Sequence, residues 1–187
     1  ININISNAAL GSYTGSLDWN PAILGYQSYS GAPPTGFTGN VNTSSTATGH
    51  IAFNGANASG ATGNTIVLTI TFNVVGSGTS ALDLGYSSMA AASTFVDLLP
   101  YLTITDGQVV VPAAPTHTVT FNANGGTGTM SPQVANVPTA LTANAFTRTG
   151  YSFANWNTAA NGSGTPYANS ATYSFSADIT LYAQWTA

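Results

Sequence analysis

Residues 1–10 read ININISNAAL, and this stretch decides how the first half of the chain folds. Ile1, Ile3 and Ile5 alternate with polar residues, so one side of the segment is apolar and the other is polar. An alternation with a period of two residues is typical of a half-buried β-strand. A strand of this kind needs hydrogen-bonding neighbours on its flanks and a core beneath its isoleucines. The segment therefore predicts a strand that must pair with other segments.

Charged side chains are almost absent from this chain of 187 residues, at 3% of the sequence, whereas a typical soluble domain has about 25%. The only basic residue is Arg148, and the acids are five aspartates: Asp18, Asp83, Asp97, Asp106 and Asp178. Because nucleic acids and anionic membranes are bound by clustered Lys and Arg, the composition excludes them as partners. Weak repulsion between copies favours association, which suits a surface assembly, a coat or a glycosylated protein.

The apolar fraction of 43% is enough for packed cores. No cysteine is present, so neither disulfides nor thiolate metal sites are expected. The sequence contains no run of about 18 apolar residues, so no membrane-spanning helix is predicted. The first residue is not Met, as expected of a processed or excerpted chain whose signal peptide has been removed. We therefore expect a secreted or cell-surface protein.

Alternating runs bounded by Gly, Asn and Pro recur along the chain and predict an all-β protein. The run SYTGSLDW (residues 12–19) places Tyr13, Gly15, Leu17 and Trp19 on one side. The run TIVLTITFNVV (residues 65–75) predicts one long strand. Its apolar residues would face one way, namely Ile66, Leu68, Ile70, Phe72 and Val74.

Other segments are predicted from shorter patterns. Three further strands are expected in the first half, at HIAFNG (50–55), SALDLGY (80–86) and LTITDGQVVV (102–111). Two Gly-rich stretches, NGANASGATGN (54–64) and NANGGTGTM (122–130), are predicted as hairpin loops, because a Walker-type phosphate loop would need a Lys. The only helix candidate is SSMAAASTFVDLL (87–99).

A Pro/Ala-rich linker at residues 112–116 divides the chain into a first part, residues 1–111, and a second part, residues 117–187. The second part contains HTVTFNANGG (117–126), TRTGYSFANWNT (147–158) and LYAQW (181–185) in that order. With these segments it resembles the internalin-type B repeat, also called the Listeria-Bacteroides repeat. The resemblance implies a small β-grasp-like domain of secreted and surface-anchored proteins, which serves as a non-catalytic spacer or adhesive module.

The first part carries LGSYTGSLDWNPAILGYQSYSG (10–31), GHIAFNGA (49–56), NTIVLTITFNVVGSGTSALDL (64–84) and TITDGQVVV (103–111). With these segments it resembles cohesin-type domains. The resemblance implies a jelly-roll β-sandwich, whose best-known role is to dock a partner module called dockerin. In this pattern ININIS corresponds to the second strand, and the first strand is absent. Either residues upstream complete the sheet, or another chain supplies the strand.

Catalysis is not expected, because acid–base chemistry needs two carboxylates held close together and the five aspartates are scattered among turns and strands. His50 and His117 begin predicted strands in different parts of the chain, so a catalytic or metal-binding histidine cluster is not expected either. No calcium-loop motif is present, and no cofactor is predicted. As the sole cation, Arg148 is expected to pair with an Asp or to cap a carbonyl; a functional alternative is that it meets an acidic group on a neighbouring subunit.

Aromatic side chains offer a candidate binding surface. Tyr26 and Tyr29 lie in a Gly/Ser-rich segment and could form a platform for sugar rings, whereas Trp156 and Trp185 are predicted to form the core of the second part. The N-x-S/T pattern makes four asparagines candidate glycosylation sites: Asn4, Asn42, Asn57 and Asn161.

The sequence therefore predicts a non-catalytic extracellular structural or adhesive protein. It would be a subunit or module of a cell-surface assembly or filament, with strand sharing between subunits through Ile1, Ile3 and Ile5. The alternative is a binding module that recognises carbohydrate or a dockerin-like protein.

Overall fold

The first strand, β1 (Asn2–Trp19), unites both alternating N-terminal runs in one element. In the computed structural model, which describes residues 1–187, Tyr13, Leu17 and Trp19 are buried as predicted. Ile3 is buried as well. The apolar side of this strand therefore forms part of the core along most of its length.

The structure comprises two units, Ile1–Ala113 and Ala114–Ala187. The remaining strands of the first unit are β2 (Leu24–Ser30), β3 (Val41–Asn42), β4 (His50–Ile66), β5 (Thr69–Val74), β6 (Gly78–Ala91) and β7 (Gly107–Val111). Five strands form one sheet in the order β3-β4-β1-β6-β7, and β2 pairs with β5 in a second sheet. Both sheets contribute side chains to one hydrophobic cluster. The predicted all-β sandwich is confirmed.

The predicted single strand at residues 65–75 is wrong in one respect, because the chain changes sheets within it. Ile66 ends β4, and Thr69 begins β5. Val67 and Leu68 lie between these strands, and both are fully buried. Consecutive buried residues cannot belong to one half-buried strand, since neighbouring side chains of a strand point to opposite faces. As a result, Ile66 is 59% exposed.

The Gly-rich stretch at residues 54–64 lies within β4 and is not the predicted hairpin loop. The pairing of β1 with β4 shifts register on both sides of the pair formed by Leu10 and Ala61, so the stretch is accommodated as irregularities of one ladder. Gly60 has a φ of +72°, and a Cβ there would lie 2.6 Å from the Cβ of Ala9. Glycine is therefore required where β4 bulges against β1.

The helix candidate at residues 87–99 is also wrong. Its first residues, through Ala91, belong to β6, and a turn follows. Two 3-10 turns occur in the unit, Thr46–Thr48 and Leu99–Tyr101. The strand predicted at residues 102–111 is shorter than expected, because only its last five residues pair with β6 as β7. Alanine-rich sequence alone does not form a helix where an adjacent strand offers a ladder.

The second unit is built from seven short strands: β8 (His117–Asn122), β9 (Gln133–Ala135), β10 (Thr139–Ala140), β11 (Ser152–Asn157), β12 (Pro166–Tyr167), β13 (Thr172–Tyr173) and β14 (Ile179–Thr186). Five of them form a sheet in the order β12-β11-β14-β8-β9, and β10 pairs with β13. The first and last strands, β8 and β14, lie side by side in parallel. As predicted, the Gly-rich stretch at residues 122–130 lies in the connection between β8 and β9, which pair antiparallel.

Aromatic residues fill the core of this unit. Trp156 is completely buried, and the centroids of the rings of Phe121 and Phe153 lie 4.9 and 5.0 Å from its ring. Trp185 is half-buried against the same cluster, and its Nε1 donates to the carbonyl of Ala123 at 3.0 Å. The core interpretation of both tryptophans is confirmed.

Candidate assembly site

The N-terminal end of β1 is hydrogen-bonded on one side only. The N–H of Val67 donates to the carbonyl of Ile1 at 3.1 Å, and Ile3 lies opposite Thr65 on β4. In an antiparallel pair, alternate residues direct their backbone groups toward the partner and away from it. The odd-numbered residues therefore bond to β4, and the backbone N–H and C=O of Asn2 and Asn4 point away from it.

On the side away from β4, β1 meets β6 only further along the chain. Their pairing begins at Leu10, which lies opposite Ala91, and the carbonyl of Ala9 accepts from the N–H of Ala92 at 2.7 Å. No residue between Asn2 and Ala8 has a partner on β6. This segment is a free strand edge of roughly 20 Å, at about 3.3 Å per residue.

A cavity of about 750 Å³ runs along this free edge. Its walls and floor come from β1, β6 and the segment that precedes β7. The lining residues are Asn2–Ala8, Leu84, Tyr86, Met89, Leu98 and Tyr101–Thr105. We call this cavity the edge groove.

A second stretch of unpaired backbone also lines the edge groove, and we call it the second wall, beside the first wall formed by β1. The N–H of Leu102 donates to the carbonyl of Leu99 at 3.1 Å, and the carboxylate of Asp106 accepts from the N–H of Leu84 at 2.8 Å. Between these two anchors, the backbone groups of Thr103–Thr105 have no hydrogen-bond partner in the chain. The edge groove is therefore lined by two unpaired stretches of backbone, one on β1 and one before β7.

The floor of the edge groove is apolar. Ile3 and Met89 are buried there, and Ile5 and Leu84 are half-buried. No charged side chain lines the groove. An apolar floor between two unpaired backbone edges is the surface on which a β-strand can dock.

Tyr86, which also lines the groove, has a buried hydroxyl without a hydrogen-bond partner. Burial, and secondarily the neighbouring Tyr13, raise the pKa of Tyr86 far above its usual range. Burial also raises the pKa of Tyr13, to about 12. Both phenols are therefore neutral at physiological pH, and Tyr86 adds no charge to the groove.

Large apolar side chains are exposed in the segment between β6 and β7. Phe95 is 83% exposed, and Tyr101, which lines the edge groove, is 80% exposed. Phe95 has a φ of +55°, which is uncommon for an aromatic residue. The sequence reasoning missed this segment, because its apolar run was interpreted as a helix. The signal that could have identified it is the run of apolar residues around Pro100, which disfavours a helix.

The candidate interface residues Ile1, Ile3 and Ile5 lie at the start of β1 and against the hydrophobic cluster, and the last two line the edge groove. This part of β1 pairs with β4 on one flank, whereas its other flank has no partner strand. That these residues form a subunit interface remains a prediction.

The candidate platform residues Tyr26 and Tyr29 both lie on β2. Tyr26 is half-buried and packs against the hydrophobic cluster, opposite Phe72 on β5. Tyr29 lies opposite Ile70 and is 40% exposed. Tyr29 is therefore the more accessible of the two.

The aspartates and histidines make local contacts. Nδ1 of His50 lies 2.7 Å from a carboxylate oxygen of Asp18, on the neighbouring strand. Asp83 is the cross-strand neighbour of Asp18 on β6. The carboxylate of Asp97 accepts from the backbone N–H of Leu99 at 3.0 Å. These contacts belong to turns and strand ends, and no group of three or more metal-binding side chains is present.

A second His–Asp contact lies in the second unit. The Asp178 carboxylate accepts from the N–H of Thr118 at 2.9 Å and lies 3.3 Å from Nδ1 of His117. These two neighbours, the backbone N–H first, hold the pKa of Asp178 below its usual value. The carboxylate therefore stabilises the start of β8.

Arg148 makes neither of the contacts expected by default. Its guanidinium carbon lies 4.1 Å from the centroid of the Tyr151 ring, a cation–π contact, and no Asp pairs with it. The ring lies within reach because the Thr149-Gly150 turn brings Tyr151 back onto Arg148, where the backbone forms a bridge. The expectation of an ion pair or carbonyl cap within the chain is corrected.

The four candidate glycosylation sites differ in their surroundings. Asn42 and Asn161 are exposed, whereas Asn57 is half-buried. In each of these three, the side-chain oxygen accepts the N–H two residues on. Asn4 is exposed on the free edge of β1. Glycosylation of the four sites remains a prediction.

Comparison with known proteins finds a family match within the second unit. Residues 117–184 match the Listeria-Bacteroides repeat domain. The resemblance inferred from the sequence of this unit is confirmed. Repeat domains of this kind are typically extracellular or surface-associated, and typically non-catalytic.

Among the solved structures similar to the chain is the seventh ScaB type I cohesin from Pseudobacteroides cellulosolvens. The two share 18% sequence identity over 61% of this chain and 81% of the cohesin, with a TM-score of 0.45. No curated protein matches the chain in sequence. The structure has no helix with the length and hydropathy needed to cross a bilayer.

Proposed function

We propose that this chain is a non-catalytic extracellular subunit of a cell-surface assembly or filament, in which a strand from a neighbouring copy pairs with the free edge of β1. The observation that carries the proposal is the free edge itself, where the backbone groups of Asn2 and Asn4 face the edge groove without partners. Unpaired strand edges recruit further strands, because added pairing satisfies backbone groups and covers apolar surface.

Two other features support this proposal. The second unit matches a domain that is typically extracellular or surface-associated. The chain has only six charged residues apart from histidine, one Arg and five Asp. Copies of the chain therefore repel one another weakly, and close packing of many copies carries a small electrostatic cost.

The proposal is tested first by the oligomeric state. Size-exclusion chromatography with light scattering, followed by electron microscopy, should show concentration-dependent oligomers or filaments of the purified chain. A monomer over the whole accessible concentration range would contradict self-assembly.

A pair of matched proline variants tests the strand edge. Asn4 and Asn64 lie opposite each other in the β1–β4 ladder, and both side chains are exposed. Because neither N–H points toward the other strand, Pro at either position leaves the ladder between them intact. Only Asn4 faces the edge groove, since the N–H of Asn64 points to the opposite side of β4.

Asn4→Pro should raise the concentration of half-maximal association by about tenfold or more, equivalent to about 1.4 kcal/mol. Asn64→Pro should leave this concentration within about twofold of the unchanged chain. Equal effects of the two variants would show that assembly does not use the β1 edge.

The alternative is that the chain is a binding module for carbohydrate or for a dockerin-like protein. The exposure of Tyr29 on β2 supports the carbohydrate version. Glycan-array binding that is lost in Tyr29→Ala would favour the carbohydrate version. Calcium-dependent capture of a defined dockerin module would favour the protein version. Absence of both would leave self-assembly as the function.

A further inference from the structure

We infer that the edge groove takes one extended, uncharged segment of a second copy as an inserted strand, which pairs with Asn2–Ser6 on one side and with Thr103–Thr105 on the other. The inference rests on the proposed function and specifies its site. It differs from edge-to-edge pairing of sheets, because the inserted segment would have a backbone partner on both flanks.

Unpaired backbone on both walls is the first feature that supports insertion of a strand. The backbone of Asn2 and Asn4 is unpaired toward the groove, and that of Thr103–Thr105 has no partner in the chain. Asn2, Asn4 and Thr103–Thr105 are exposed, so their free backbone groups are accessible to a strand that arrives from solvent. One strand between them would satisfy both.

The floor sets the chemistry of the inserted segment. Successive side chains of a strand point to opposite faces, so every second residue of the segment would lie over Ile3, Met89 and Leu84 and should be apolar. The remaining side chains would face outward beside the asparagines of β1. Because no lining side chain is charged, a charge directed into the groove would be buried without a partner.

The charge requirement points to a second copy as the source. An average protein has about one charged residue in four, so most of its strand-length segments carry a charge. This chain has 3% charged residues, and long alternating runs without charge are its dominant pattern. The chain therefore offers the kind of segment that its own groove accepts.

Hydrogen exchange measured by mass spectrometry on the purified chain tests the inference. Exchange is compared between a dilute, monomeric sample and a concentrated, associated one, with no other protein present. Protection is expected to appear on association at both walls, in Asn2–Ser6 and in Thr103–Thr105. Any occupant in this experiment must be a second copy.

The outcomes separate this inference from the proposed function. Association with protection only at Asn2–Ser6 would overturn two-sided insertion while leaving strand sharing intact. Association without protection at either wall would overturn strand insertion altogether. A monomer at every concentration would overturn both, and so would walls that are already protected in the dilute monomer.

A second pair of variants tests the groove by charge. Ile104 lines the groove and is 38% exposed, so Ile104→Asp should fold normally and place a carboxylate against the inserted strand. It should raise the concentration of half-maximal association by about tenfold or more. The control is Val110→Asp on β7, which is 63% exposed and outside the groove lining. Equal effects of the two variants, or none, would contradict the inference.

Discussion

Trp156 is the side chain around which the second unit packs, with Phe121 and Phe153 against it. Trp156→Ala should lower the free energy of unfolding of this unit by about 3–5 kcal/mol, because a fully buried tryptophan leaves a cavity that cannot collapse completely. Trp185→Ala should cost less, since Trp185 is only half-buried. Urea denaturation followed by circular dichroism measures both changes, and a larger cost at Trp185 would contradict this packing.

Asp178 makes the stability of the second unit depend on pH. Its pKa is lowered by the N–H of Thr118 and then by His117, so the unfolded chain binds a proton more readily than the folded one. The carboxylate therefore stabilises the unit fully above the ordinary pKa of about 3.8, and this contribution is lost as the pH falls through the lowered pKa. Thermal unfolding between pH 2 and 6 should show a smaller loss on acidification in Asp178→Asn.

The matched control for this variant is Asp97→Asn, which lies in the first unit and accepts only the N–H of Leu99. It should leave the pH dependence of the second unit unchanged. If Asp178→Asn kept the full pH dependence of the unchanged chain, another group would be responsible.

At the scale of elements, the crossing from β4 to β5 determines which apolar residues belong to the core. Leu68 is fully buried, whereas Ile66, two residues earlier, is 59% exposed. Leu68→Ala should reduce the free energy of unfolding of the first unit by about 2–5 kcal/mol. Ile66→Ala should change it by no more than about 0.5 kcal/mol. Denaturant titrations of both variants test this, and similar costs would support one continuous strand instead of a crossing.

Much of this unit could be predicted from alternation alone. Tyr13, Leu17 and Trp19 are buried as their spacing indicates, because β1 has one face on the core. The crossing at Val67 was not predicted. Val67 and Leu68 are apolar like their neighbours, so the sequence gives no sign that the chain leaves one sheet there. The irregular part of β4 around Gly60 was also missed, because local sequence favours a loop there and only pairing with β1 makes it a strand.

Of the two walls of the edge groove, only the one formed by β1 could be predicted from the sequence. The alternation of Ile1, Ile3 and Ile5 indicates a strand that needs partners, and the open flank follows once β4 is found on the other. The wall at Thr103–Thr105 depends on how the segment after β6 returns to β7, which no local pattern specifies. Tertiary contacts at Leu84 and Asp106 determine that path.

At the scale of the whole molecule, the low charge of the chain predicts how the proposed assembly responds to salt. Strand insertion into an uncharged groove is stabilised by backbone hydrogen bonds and burial of apolar surface, and salt screens neither of them. With six charged residues other than histidine in the chain, ion pairs between copies can contribute little. The association constant should therefore change by less than about threefold between 0.05 and 0.5 M NaCl, as measured by analytical ultracentrifugation. Sodium sulfate, which strengthens apolar burial, should promote association. A tenfold weakening by NaCl would instead show that charged contacts, such as Arg148 with an aspartate of another copy, hold the subunits together.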